Sequence, residues 1–253
     1  MTTIVLPITS LPAGGVSPSV LVCGDPARAA QIAAQLDDAA LLSEKRAYRA
    51  YQGAYQGTPV TVCAHGVGAP GAAVAFEELI AAGARRIIRV GTCGALQPHI
   101  ATGDLVIAHA AVQNSGYGRE VAPAGYPAVA DPALTLALQA AAAAHGHPCH
   151  SGIVLTRDAF YAGVPTPATP DYSAMSEANV LAVEMECAAL FLVGSLRGVA
   201  TAAILAVDGN VLRSAESMQG YKPDAGLVQT AVTAEISIAL AALRAADADP
   251  SDS

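Results

Sequence analysis

Short apolar runs recur along the first half of the chain, and each leads into a glycine-containing segment followed by alanine-rich sequence. The clearest runs are Ser19–Cys23, 60–64 and 86–90. Runs of this length, bounded by glycine, are typical of buried strands, whereas the longer segments between them have helical periodicity. The alternation predicts an α/β fold with a mixed, mainly parallel sheet flanked by helices, with its ligand at the carboxyl ends of the strands.

The same pattern continues to the carboxyl terminus without a linker or an internal repeat. We therefore predict an irregular N-terminal arm over residues 1–18, one domain over 19–245 and a disordered tail over 246–253. A hairpin is predicted over 51–58. The remaining predicted strands are 104–108, 150–156 and 201–207, and the predicted helices are 72–82, 132–144, 187–196 and about 227–245.

Composition narrows the class of protein. Of the 253 residues, 53% are hydrophobic and 13% are charged, which leaves little polar surface for a monomer and favours an oligomer. The net charge of -8, with scattered basic residues, argues against binding to nucleic acid or to an anionic membrane. Five separated cysteines without zinc spacing indicate a reduced, cytoplasmic protein without a metal site, and we recognise neither a signal peptide nor a membrane span.

The segment around Arg89 has the most unusual chemistry. An arginine between Ile88 and Val90 needs an anionic partner to offset its desolvation. We predict a glycine-rich turn after residue 90, in which Gly91 and Gly94 let backbone N–H groups approach a ligand. The alternative is an arginine paired with a core carboxylate beside an ordinary turn.

A second candidate anion site follows the first strand. Asp25 is a plausible helix N-cap, with proline at the first helical position, and Arg28 lies one turn into the helix. A helix N-terminus presents unpaired N–H groups and partial positive charge. The alternative is an ordinary connection with Arg28 in solvent.

Carboxylates complete the set of candidate residues. Glu186 lies between two predicted buried elements, where it must be paired or bound to hydroxyl groups, and Met185 beside it would form an apolar floor. Asp208 ends a predicted strand and would act as a general acid if burial raised its pKa. Two arginines, a buried glutamate and a general acid suit phosphorolysis or hydrolysis of a nucleoside.

Four segments, 22–29, 65–68, 89–97 and 183–188, together resemble the hexameric nucleoside phosphorylase family, which includes purine nucleoside and uridine phosphorylases. The resemblance extends from about residue 20 to the last helix. It implies a single α/β domain with a partly barrel-like sheet. It also implies inorganic phosphate as co-substrate, no further cofactor and a homohexamer built as a trimer of dimers.

The resemblance also implies roles for individual residues. Asp208 and Arg89 would be catalytic, and Arg46 would reach the phosphate of the neighbouring subunit, although Glu44 offers a simple surface pair for it. The implied phosphate contacts are Gly24, Arg28, Arg46, Arg89 and Thr92; the ribose contacts are Met185 and Glu186; and the base contacts are Cys93, Gly94, Phe160, Glu184 and Asp208.

Base preference divides the family. Uridine phosphorylases normally carry a Gln and an Arg after the Phe-Tyr pair, and residues 161–177 contain neither, whereas the sequence 207–209 resembles purine enzymes. We therefore expect inosine or guanosine as substrate, with uridine as the alternative. No histidine in residues 1–18 is available to contact the ribose 5' position. A nucleosidase of the same fold is disfavoured by the arginines, and a non-catalytic binding protein by Glu186 with Asp208.

Overall fold

The computed structural model describes residues 4–161, 163–213 and 220–248. The strands are β1 Ser19–Cys23, β2 Asp37–Lys45, β3 Tyr48–Tyr55, β4 Thr58–Ala64, β5 Arg86–Ala95, β6 Leu105–Asn114, β7 Ala128–Val129, β8 Cys149–Arg157, β9 Ala182–Glu184 and β10 Ala200–Asn210. The helices are α1 Pro26–Ala33, α2 Ala69–Ala81, α3 Gly116–Val121, α4 Pro132–His145, α5 Tyr172–Glu177, α6 Cys187–Arg197 and α7 Ala225–Asp247.

Strand β5 is the centre of the sheet. It pairs in parallel with β1 and β10 and antiparallel with β9. The order β10-β6-β8-β9-β5, together with the β5–β10 pairing, closes five strands into a ring, and β1, β4, β3 and β2 extend from β5 as an open wing. The predicted α/β domain with a mixed, partly barrel-like sheet is confirmed.

Helices cover both faces of this sheet. Helices α2 and α6 pack in one core cluster, which contains Phe76 and Phe191, and α1, α4 and α7 pack in the other. By length and composition alone α7 could cross a membrane. In the structure its apolar face packs on α4, β10, β5 and β1, and this packing accounts for its hydropathy.

Several predicted boundaries are wrong for physical reasons. The predicted turn after residue 90 is strand, because β5 continues through Ala95 while paired with β10. The predicted hairpin over 51–58 corresponds to β3 and the start of β4. Strand β2 was missed because this exposed edge strand has only a short apolar run, 39–42, between charged residues. Helix α2 begins at Ala69. Helix α7 ends at Asp247, so the predicted tail boundary at 246 is wrong, and residues 249–253 lie outside the described residues.

The topology brings the carboxyl ends of β1, β4, β5 and β10 to one edge, because these strands run in the same direction. Residues that follow those ends, far apart in sequence, therefore meet. The β5–β10 register shifts between Val207 and Gly209, which leaves Asp208 without a partner residue as a β-bulge. Bulges often re-aim a side chain beside a functional site.

Candidate functional site

A cavity of about 660 Å³ opens at these strand ends. Every residue that the sequence predicted for phosphate, ribose or base lines it, with the exception of Arg46. The residues concerned are Gly24, Arg28, Arg89, Thr92, Cys93, Gly94, Phe160, Glu184, Met185, Glu186 and Asp208. The structure thus brings both arginines, Glu186 and Asp208 to one place, while their individual roles stay predictions.

Arg46 lies apart from this cavity. It is exposed at the turn between β2 and β3 and has a φ of 58°, and the next residue, Ala47, lines the cavity. Its neighbour Arg49, rather than Arg46 itself, forms the ion pair with Glu44. The surface pair considered for Arg46 is therefore made by a different arginine.

Arg89 is only 4% exposed and lies between two buried carboxylates. Its Nη2 is 2.6 Å from Oε2 of Glu186 and 3.2 Å from Oε2 of Glu184. Burial alone would lower the pKa of Arg89, but Glu186 and Glu184 raise it above its usual value, so the guanidinium stays charged. The ion pair considered from the sequence is thus present, and the same side chain also lines the cavity.

Glu184 connects Arg89 with the start of α6 through hydrogen bonds. Its carboxylate accepts hydrogen bonds from Glu186 N at 2.8 Å, from Cys187 N and from the Thr156 hydroxyl. These contacts satisfy backbone donors at the start of α6, where helices leave N–H groups unpaired. The predicted base contact of Glu184 stays a prediction, and its bonds to Arg89 and α6 offer a structural reason for its burial.

Glu186 also binds the glycine-rich segment after β4. Its Oε1 accepts a hydrogen bond of 2.6 Å from Gly68 N, where the backbone φ is 92°. Burial raises the pKa of Glu186, and Arg89 partly offsets this. His65, buried beside Arg89, has its pKa lowered well below the usual value by burial and by that arginine, so it is neutral.

Gly91 makes room for the arginine. A Cβ at this position would lie 2.5 Å from Nη1 of Arg89 and 2.7 Å from its Cζ. Because no side chain can share that space, glycine is required within β5 by the neighbouring guanidinium. From the sequence, this glycine was expected to let the backbone approach a ligand, and the structure gives a different reason.

We expect Gly91→Ala to displace the Arg89 guanidinium. The free energy of unfolding should fall by about 1–3 kcal/mol, as for other overpacked sites, and the KM for the phosphate that the sequence resemblance implies as co-substrate should rise. Urea unfolding and steady-state kinetics measure the two effects. Gly71→Ala in α2 is the matched control, because a Cβ there has only a contact of 3.9 Å and alanine favours a helix. Equal stability and KM in the two variants would contradict the prediction.

The start of α1 forms the second cationic side of the cavity. Asp25 caps the helix by accepting a hydrogen bond from Ala27 N at 2.8 Å, with Pro26 in the first turn, as predicted. Arg28 is half-buried and its Nη1 lies 3.6 Å from Oε1 of Glu235 on α7. It is therefore held at the cavity by a buried carboxylate rather than released into solvent.

The cavity also has an aromatic wall and a carboxyl group. Tyr221 Oη donates a hydrogen bond of 2.8 Å to Oδ2 of Asp208, and the Tyr221 and Phe160 rings pack edge to face at 5.3 Å. Burial raises the pKa of Asp208 to about 6, while Tyr221 and Arg28 hold it lower than burial alone would. A carboxyl group with this pKa can hold a proton near neutral pH and give it to a substrate.

Tyr221, Arg157 and Glu235 lie in or near the cavity and were not predicted as site residues from the sequence. Tyr221 lines the cavity beside Asp208. Arg157 lines the cavity and lies over the Tyr172 ring. For Glu235 a signal existed, because a single carboxylate on the apolar face of a helix needs a partner.

Comparison with known proteins agrees with this geometry. The family model of the phosphorylase superfamily matches residues 18–244. A uridine phosphorylase of Thermococcus kodakarensis is 38% identical, over 87% of this chain and 82% of its own. A guanosine phosphorylase of Halorubrum lacusprofundi is 36% identical, over 79% and 81%.

A solved structure gives the same result for the fold. Purine nucleoside phosphorylase from Toxoplasma gondii, in complex with immucillin-H, superimposes with a TM-score of 0.87 at 35% identity and covers 96% of this chain and 97% of its own. The resemblance predicted from the four sequence segments is therefore confirmed: the chain belongs to the phosphorylase superfamily.

Proposed function

We propose that the protein catalyses phosphorolysis of purine ribonucleosides and deoxyribonucleosides, with inosine and guanosine as its preferred substrates. The observation that carries the proposal is the single cavity that holds Arg28, Arg89, Glu186 and Asp208 together. This cavity combines guanidinium groups with aromatic side chains and a protonatable carboxyl group. Such a set of groups fits an anion, a sugar and a base bound next to one another.

In the proposed reaction the glycosidic bond breaks as a phosphate oxygen attacks C1' of the sugar. The phosphate would be held by the α1 N-terminus, Arg28 and Thr92, since backbone N–H groups and guanidinium groups both favour anions. The bonding electrons move to the departing base, and Asp208 gives its proton to N7 of the purine. The products are the free base and pentose 1-phosphate.

Glu186 would hold the sugar during this step. Its carboxylate oxygens would accept hydrogen bonds from the 2'- and 3'-hydroxyl groups, and Met185, which also lines the cavity, would pack against the ring. The phosphate dianion would then lie beside the cationic sugar of the transition state and stabilise it electrostatically. Met185 and Glu186 lie directly between β9 and α6, which favours precise positioning.

Uridine is the second candidate substrate. It is favoured by the similarity to the Thermococcus kodakarensis uridine phosphorylase. Purines are favoured by Asp208, which has a natural proton acceptor in N7, and by the absence of Gln and Arg from the sequence of residues 161–177.

The decisive assay follows base release from inosine, guanosine, adenosine, uridine and methylthioadenosine with and without phosphate. Phosphate-dependent release, fastest with inosine or guanosine, supports the proposal. Fastest release from uridine would replace the purine assignment with the second candidate. Undiminished release without phosphate would contradict phosphorolysis and indicate a nucleosidase.

We also propose a homohexamer that uses phosphate and no other cofactor, with Arg46 reaching the cavity of the neighbouring subunit. Arg46→Ala should then raise the KM for phosphate at least tenfold, because a hydrogen bond to a charged group contributes about 1.5–3 kcal/mol. Light scattering with size-exclusion chromatography measures the assembly and steady-state kinetics the KM. An unchanged KM in an intact hexamer would contradict the role of Arg46.

Tyr221 should tune the pH dependence of the reaction. Its hydrogen bond lowers the pKa of Asp208, so Tyr221→Phe should raise that pKa and move the alkaline limb of kcat/KM to higher pH. A pH series from 5 to 9 with inosine measures the shift. Tyr172→Phe is the comparison, because that hydroxyl bonds to Arg157 rather than to Asp208. Identical profiles for both variants and the wild-type protein would contradict the role of Tyr221.

A further inference from the structure

A buried carboxylate that was not among the predicted site residues lies next to Arg28. Glu235 is 0% exposed, and neither of its carboxylate oxygens has a hydrogen-bond partner among the described residues. Its nearest opposite charge is Arg28, at 3.6 Å, whose side chain is 18% exposed and lines the cavity. One guanidinium therefore has a buried carboxylate on one side and the cavity on the other.

We propose that Glu235 is a positioning residue that sets how strongly Arg28 binds the phosphate co-substrate. Its protonated form would leave the full charge of the guanidinium to the anion, whereas its ionised form would compete with the anion for that charge. The inference rests on the proposed function, because it takes phosphate as the ligand of Arg28. Glu235 itself touches neither phosphate nor nucleoside.

The electrostatic surroundings support a protonated resting form. Burial raises the pKa of Glu235 to about 8, although the charges of Arg28 and Arg89 lower it. An ion pair with good hydrogen bonds would normally hold a glutamate ionised. Because Arg28 lies 3.6 Å from Glu235 and forms no hydrogen bond with it, burial affects the pKa of Glu235 more than the arginine does.

The elements packed around α7 carry few other groups that titrate near this carboxyl. The Cys23 and Cys93 thiols have their pKa values raised by burial and stay neutral. Arg86 pairs with Asp247 at the last turn of α7. The titratable residues in the sequences of these elements are Arg28 on α1, Cys23 on β1, Arg86, Arg89 and Cys93 on β5, Asp208 on β10, His145 on α4, and Arg244 and Asp247 on α7 itself.

The proposal predicts a specific pH dependence. Below about pH 8 Glu235 is largely protonated, and phosphate binding should be as strong as in a variant without the charge. As the pH rises through 8, ionised Glu235 should weaken the binding. By linkage, bound phosphate should raise the pKa of Glu235, and the two effects must be equal in size.

The test compares wild-type protein, Glu235→Gln and the surface control Glu77→Gln from pH 6.5 to 9.5. Glu77 pairs with Arg197 in solvent. The quantity compared is the ratio of the wild-type KM for phosphate to the KM of Glu235→Gln. We expect this ratio to be near one at pH 6.5 and about ten at pH 9.5. A ratio of ten corresponds to a shift of one unit in the pKa of Glu235 when phosphate binds. The titration of phosphate itself cancels in this ratio, and kcat should change little.

Two results would overturn the proposal. Parallel pH profiles for wild type and Glu235→Gln would show that its ionisation does not affect Arg28. A KM for Glu235→Gln raised equally at every pH would indicate a merely structural role. Glu77→Gln should follow wild type throughout, so a pH-dependent ratio for that variant as well would also count against Glu235.

A second measurement separates this inference from the proposed function. Sulfate, which does not titrate in this range, serves as the anion probe in calorimetry without nucleoside. Sulfate binding that weakens above pH 8 in wild type and not in Glu235→Gln supports the inference even if no nucleoside is cleaved. If Glu235→Gln fails to fold, sulfate binding to the wild-type protein is measured by calorimetry in buffers of different ionisation enthalpy. Uptake of protons on sulfate binding near pH 8 supports the inference, and the absence of proton uptake overturns it.

Discussion

Replacing Asp208 with asparagine should lower kcat for inosine by about 10²–10⁴-fold, the usual contribution of a general acid. Asparagine keeps the shape and the hydrogen bond from Tyr221 but has no proton to give to N7. Because the pKa of Asp208 is raised to about 6, the wild-type kcat/KM should also fall as the pH rises above 6, as the carboxyl loses its proton. Steady-state kinetics at saturating phosphate measures both effects.

A substrate that needs no proton provides the control for this variant. In 7-methylguanosine the base already carries a positive charge and leaves as a neutral molecule, so Asp208→Asn should retain most of its activity. An equal loss with inosine and with 7-methylguanosine would point to damaged packing on the β-bulge instead. A nearly unchanged kcat for inosine would remove Asp208 from the proposed role.

The phosphate and sugar residues could be predicted because each is exceptional in its local sequence. Arginine in an apolar strand and glutamate between buried elements both require a partner, whatever the fold. The structure adds that two of these residues, Arg89 and Glu186, are partners of each other at 2.6 Å. Sequence patterns identify the residues that need a partner, but only the chain topology decides which of them meet.

The glycines after Arg89 were harder to interpret. Gly91 and Gly94 suggested a turn, yet both lie in β5 and make space for side chains, Gly91 for Arg89 and Gly94 for Val211. A glycine within a strand often marks such a close approach, but this approach depends on contacts that local sequence does not encode. The end of β5 was therefore missed.

Tyr221 is an example of a site residue that sequence patterns could not predict, because it lies outside the regular elements. It lies in the segment between β10 and α7, which has no periodicity, and reaches Asp208 from 13 positions away. Its role depends on the path of the chain after β10. Glu235 differs, because one carboxylate on an otherwise apolar helix already indicates a buried partner.

Replacing Arg89 with methionine should strongly destabilise the folded protein. It would leave Glu184 and Glu186, both 4% exposed, without their shared cation. Breaking a buried ion pair from one side typically costs about 3–5 kcal/mol, since an uncompensated charge stays buried. Urea unfolding at pH 7 should show this loss, and phosphate-dependent activity should fall with it.

Arg197→Met is the matched control, because this arginine pairs with Glu77 on the surface and its loss should cost about 0–1 kcal/mol. The defect of Arg89→Met should also depend on pH. Without the guanidinium, burial would hold the Glu186 carboxyl protonated at pH values where the unfolded chain is ionised, so the stability of the variant should fall as the pH rises above about 4.5.

A double variant tests whether the loss arises from the pair itself. The double variant Arg89→Met with Glu186→Gln removes one of the two buried carboxylates that lack a cation. Its loss of unfolding free energy should therefore be smaller, by about 0.5–3 kcal/mol, than the sum of the losses in the two single variants. Simple additivity would instead mean that methionine disturbs β5 by its shape. In that case strand packing, and not charge, would stabilise the arrangement of Arg89, Glu184 and Glu186.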